Sequence, residues 1–168
     1  TDKEKDNLGK YSSNLFTLNT FYSSIKRTIK GNTPSDSTLS FLCKYWNCVA
    51  SNIIQWNELN KKEISKVDLR ENYIVTQGVV IQAIGQVGSY FINNAEINMY
   101  EILKGLRNID WRRSASIWKN RVIRADGKIL TSNKAILLAS NQIKKELGIP
   151  LLPDEELKEK RYLESLTI

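Results

Sequence analysis

Apolar residues recur at helical spacing in two consecutive stretches, and this periodicity restricts the architecture more than any other feature. Leu15, Leu18, Tyr22, Ile25 and Ile29 fall on one face of a helix, as do Leu39, Leu42, Trp46, Val49, Ile53 and Trp56. Gly31 and the run Asn32-Thr33-Pro34-Ser35-Asp36 between them read as a C-cap and a loop. A connection this short predicts two helices packed antiparallel against each other. Lys61-Lys62 lies in the next connection, and Ser65 or Asp68 suits the cap of the element after it. Residues 67–93 are apolar nearly all round. Tyr73, Val80, Ile84, Val87 and Phe91 fit a buried central helix broken near Gly78, although Val79-Val80-Ile81 alone also suits a strand. Gly78, Gly85 and Gly88 would cost that helix about 1 kcal/mol each relative to alanine, a cost consistent with a neighbouring backbone coming close. They match no nucleotide-binding glycine pattern.

A short helix is expected near Asn98–Leu106, with Ile102, Leu103 and Leu106 turned inward. The stretch Asp110–Arg121 then splits cleanly when read as a helix. Trp111, Ala115, Trp118 and Val122 take one face, and Arg112, Arg113, Ser116, Lys119 and Asn120 take the other, with Asp110 as N-cap. Val122–Leu130 gives the best strand signal, and Asp126-Gly127 suits a two-residue hairpin turn with positive φ at both positions. Ser132 opens a helix carrying Ile136, Ala139, Ile143 and Leu147, stopped by Gly148 and Pro150. Pro153-Asp154-Glu155-Glu156 opens a last helix, its acids placed to suit the helix dipole. The expected fold is therefore mainly α: a single-domain bundle of about six to seven helices with one small β-hairpin. Residues 14–168 would form the bundle, behind a flexible segment over residues 1–13.

Charge is unevenly placed. Residues 107–134 hold eight Lys or Arg against two Asp or Glu, which accounts for +6 of the chain's net +7. Concentrated positive charge attracts polyanions by counterion release, whereas dispersed charge mainly aids solubility. On this reading Arg112, Arg113, Lys119 and Arg121 are candidates for DNA phosphate contacts. Arg124 and Lys128 on the hairpin, and Lys134 beyond it, would extend the track, and Asn120 would reach a base edge. Trp111 and Trp118 read as core anchors rather than stacking platforms. Arg70 reads as a structural cation paired with Asp68, Glu71 or Asp110.

Several chemistries are excluded or unsupported. The chain contains no histidine, which removes Ser–His and Cys–His nucleophiles and the common zinc sites. Cys43 and Cys48 lie about 140° apart on a helix, unsuited to a disulfide or a metal pair, and read as reduced core thiols. The carboxylates show no spacing that demands an acid–base pair or a metal. No catalytic residue, cofactor or metal is therefore expected, and the chain does not read as an enzyme. No apolar run reaches membrane-spanning length. A start at Thr-Asp-Lys-Glu-Lys without Met is what a piece of a longer protein would show.

The order of several motifs resembles the C-terminal region of the DndB family of DNA sulfur modification proteins, within the wider DGQHR-domain proteins. They are Asn14-Leu15-Phe16-Thr17-Leu18, Tyr45-Trp46 with Val49, Trp56, Leu69-Arg70, Gly78-Val79, and Gln82-Ala83-Ile84-Gly85-Gln86-Val87-Gly88. Ile109-Asp110-Trp111 with Arg113 comes next, then Trp118, Arg121, Gly127, Ser132, Ile143-Lys144 and Leu147-Gly148. Where the family usually carries histidine before the glycine matched to Gly78, this chain has Gln77, and the DGQHR sequence itself is absent. The resemblance implies a cytoplasmic bacterial protein that binds duplex DNA and regulates transcription of the genes for DNA phosphorothioation. The alternative is a structural, oligomerisation or protein-interaction module that supports an N-terminal DGQHR domain.

Overall fold

A computed structural model describes residues 14–166; the segment expected to be flexible, residues 1–13, lies outside the described residues. The fold is mainly α. Eight α-helices occur among the described residues: α1 (Leu18–Thr28), α2 (Asp36–Asn52), α3 (Ile54–Asn60), α4 (Lys66–Asn72), α5 (Gly78–Asn93), α6 (Met99–Leu103), α7 (Asn133–Glu146) and α8 (Pro153–Glu164). Side-chain oxygens start five of them, each taking a free first-turn N–H: Thr17, Ser35, Ser65, Asn98 and Ser132. The long apolar stripe after Ser35 is divided into α2 and α3 at Ile53, whose extended backbone breaks the ladder.

The central helix is α5, which starts at Gly78, where the break was expected, and is buried along most of its length. Its glycines serve close approach. A Cβ at Gly85 would overlap the Ser24 hydroxyl and carbonyl oxygen, and one at Gly88 would lie 2.8 Å from the Tyr45 ring. The partner that comes close is α1, and here the packing departs from expectation. Ser24 and Thr28 are buried against α5, while Leu18 and Tyr22 of the apolar stripe stand 48% and 58% exposed. Polar contacts account for the reversal. Ser24 Oγ donates to the Ile81 carbonyl at 2.9 Å and Thr28 Oγ1 to the Gly85 carbonyl at 2.8 Å, so the small hydroxyl face lets two backbones meet. The two first helices still touch, through Phe21 and Trp46 with ring centroids 5.0 Å apart, but the main seam of α1 is with α5. Cys43 is exposed, not a core thiol as expected, and Cys48 is partly buried; both are free.

The largest correction concerns residues 109–131. The helix expected over Asp110–Arg121 is absent. An irregular segment takes its place, with one 3-10 turn at Ser116–Trp118. Its first residues bond to the chain at the end of α4. Arg113 N–H donates to the Asn72 carbonyl at 2.8 Å, Ile74 N–H donates to the Trp111 carbonyl at 3.0 Å, and Tyr73 bridges Arg112. Asn120 sits at φ 57°, a left-handed conformation that asparagine tolerates and a helix does not. The hairpin survives in reduced form, as a bridge between Ile123 and Ile129. Its turn is not the expected two-residue type. Among Ala125, Asp126 and Gly127 only Gly127 takes positive φ, at 80°, and Arg124 N–H closes the loop onto the Lys128 carbonyl at 2.9 Å.

Candidate nucleic-acid interface

The irregular segment is held by the two tryptophans that the sequence marks as anchors. Trp111 and Trp118 are buried and stacked, with centroids 5.5 Å apart and planes within 12°. Each indole N–H is satisfied by a carbonyl, Trp111 by Leu106 at 3.1 Å and Trp118 by Asp110 at 2.6 Å. Val122 is fully buried beside them. The inward face of the predicted amphipathic segment is therefore inward, without the helix that was to carry it. Asp110 does not cap a helix. Its carboxylate accepts from the Arg112 backbone N–H at 3.1 Å and from Arg112 Nε at 2.9 Å, folding the chain into a tight turn. The Arg112 hydrogen bonds hold the Asp110 carboxyl below its ordinary range.

The eight candidate residues separate into groups. Lys119, Asn120, Arg124 and Lys128 come together, because Ile123 bridges both Lys119 and Ile129 and lays three short segments side by side. All four side chains are exposed. Lys119 and Lys128 have no ion-pair partner among the described residues, and Arg124 carries only a solvent-facing contact with Asp126 at 3.2 Å. An ion pair of that kind is worth little and yields readily to a phosphate. The layer is propped from behind by α8, where Tyr162 donates its hydroxyl to the Lys119 carbonyl at 2.8 Å.

Arg112 and Arg113 lie elsewhere, against the end of α4. Arg112 is exposed and paired with Asp110. Arg113 is half-buried and shares a cleft with Arg70, Glu71 and Gln77. Its Nε is buried without a hydrogen-bond partner, and burial pushes its pKa down. Arg70 also turns inward, donating to the Asn14 carbonyl, and burial lowers its pKa too. Sequence alone sets Arg70 aside and gives Gln77 no role beyond its place in a motif. Only the fold brings both to Arg113, since the three sit on separate stretches of chain. Lys134 stands apart again, exposed in the first turn of α7.

Arg121 leaves the set. It is 3% exposed, its Nη1 donates to Glu159 at 2.8 Å, and its second terminal nitrogen takes the other carboxylate oxygen. Its guanidinium also lies over the Tyr162 ring, 4.2 Å from the centroid. The charge is spent inside the molecule and offers nothing to a phosphate. Beside it Lys144 and Glu155 form a second buried pair, with both carboxylate oxygens 2.8 Å from Nζ. Among the described residues no group of histidine, cysteine or carboxylate side chains is placed to hold a metal, and no helix is long and apolar enough to cross a membrane.

The model of the DndB family, described as DNA-sulfur modification-associated, matches residues 1–150. Comparison with curated proteins and with solved structures finds no match.

Proposed function

The chain belongs to the DndB family, associated with DNA sulfur modification, and from that premise we propose that it is a cytoplasmic, non-catalytic DNA-binding regulator of a bacterial phosphorothioation system. It would act on transcription of the modification genes. The observation that supports this most is the exposed layer of Lys119, Asn120, Arg124 and Lys128, fixed from behind by buried tryptophans and by Tyr162. A rigid backing reduces the entropy lost when such side chains engage a duplex. The cations neutralise backbone phosphates and release counterions, and the Asn120 amide has the donor and acceptor needed at an adenine edge. Arg112 and Arg113 lie outside this layer and serve as flanking phosphate contacts, while Lys134 faces a separate groove beside α7.

The test is a fluorescence-anisotropy titration of a labelled duplex. Lys119→Ala with Lys128→Ala is expected to weaken binding about tenfold at moderate salt, whereas unchanged affinity would remove these residues from the interface. A second reading, a self-association module serving a DGQHR domain, is favoured by the exposed Leu18 and Tyr22 on α1. Light scattering separates the two. A monomer that binds duplex supports the regulator, and a dimer without duplex affinity supports the module.

A further inference from the structure

We propose that the groove between the end of α1, α5, the start of α7 and α8 is a binding site for a nucleoside di- or triphosphate. The groove encloses about 730 Å³, within the usual range of small-molecule sites. Five cations line it: Arg27 and Lys30 from α1, Lys134 from α7, and Lys158 and Arg161 from α8. None of the five has an ion-pair partner among the described residues. Two carboxylates also border the groove, but Glu155 is already neutralised by Lys144, which leaves Asp154. The balance is strongly positive and uncompensated, which is the condition that recruits a multiply charged anion.

Arg27 is aimed as well as charged. Its Nη2 donates to Asn133 Oδ1 at 2.7 Å and its Nε to Gln82 Oε1 at 3.1 Å, so two neutral amides hold the guanidinium where α1, α5 and α7 meet. Burial pushes its pKa down, a cost that an incoming anion would offset. The first turn of α7, a helix of 14 residues, borders the same groove, and its dipole and the N–H groups that Ser132 leaves uncapped favour an anion there. Leu137 and Leu152 add apolar surface to the lining for the face of a base, and Gln86 gives an amide for its edge. Phosphate chain, cation cluster, base and apolar wall then correspond. A duplex backbone offers the same phosphate chemistry, but a recess walled by four helices suits a compact ligand better than a rod.

The probe is ATP, titrated calorimetrically into the full chain, with adenosine as the uncharged control and a 20-base-pair duplex as competitor. ATP should bind saturably at one site per chain and adenosine should not. Lys158→Ala with Arg161→Ala, both exposed on α8, should lower ATP affinity at least about tenfold without changing duplex affinity. Lys119→Ala with Lys128→Ala should do the reverse, which keeps this site independent of the proposed DNA interface. Absence of saturable ATP binding, equal ATP affinity in the α8 variant, or stoichiometric displacement of ATP by the duplex would overturn the proposal.

Discussion

Arg121 is matched to Glu159, 38 positions further along the chain, and no local spacing announces such a partner. The charge excess of residues 107–134 made Arg121 a candidate phosphate contact, and a carboxylate from α8 took it into the core instead. Trp111 and Trp118 were legible for the opposite reason. Large aromatic bodies find the interior whatever the backbone between them does, and their indole N–H groups needed only two nearby carbonyls. The Arg121 pair makes a firm prediction. Removing one member of a buried pair strands the other charge, so Arg121→Ala should cost about 3–5 kcal/mol in urea unfolding. The pH dependence has a definite sign. Burial alone would raise the Glu159 pKa, but the Arg121 hydrogen bonds and the charges of Arg121 and Lys145 outweigh it and hold it below its ordinary value. A carboxylate depressed in the folded state contributes its full stability above the unfolded glutamate value, near 4.3, and loses it as pH falls through the lower folded value. Glu159→Gln should therefore flatten the acid limb of the stability profile below about pH 4.3; an unaltered limb would contradict the pairing.

Helices α5, α7 and α8 were legible because their caps and stops are local: Gly78, Ser132, Gly148 and Pro153. The segment 109–131 was not, because the backbone of Trp111 and Arg113 pairs with Ile74 and Asn72, far away in sequence. The face that α1 presents was also hidden. Hydrophobic periodicity points Leu18 and Tyr22 inward, but the glycines of α5 admit only small side chains, and Ser24 and Thr28 supply hydrogen bonds that leucine cannot. Two substitutions on one helix check this seam. Gly85→Ala meets the backbone of α1 and should destabilise by roughly 1–3 kcal/mol or more. Gly78→Ala, whose added methyl would sit 3.5 Å from the Thr20 side chain, should be tolerated or slightly stabilising. Equal thermal unfolding of the two variants would contradict a backbone-to-backbone approach centred on Gly85.

At the scale of the molecule, the charge excess in residues 107–134 does not become one continuous surface strip. Arg121 is interior, Arg112 and Arg113 lie against α4, and Lys134 belongs to the cationic groove at α7. What persists is a compact layer of Lys119, Asn120, Arg124 and Lys128, carried on loops rather than on a helix. The expectation of a polyanionic partner came from where the charge sits in the sequence; which of those cations stand exposed to meet one depended on the fold. The layer is small, so the electrostatic signature it predicts is small and specific. The decisive measurement is duplex affinity across a range of salt concentrations, for the natural chain and for Lys119→Ala with Lys128→Ala. Two lost phosphate contacts should reduce the magnitude of the log–log salt slope by roughly two. Parallel lines of equal slope and height would mean that the duplex is held elsewhere or not at all.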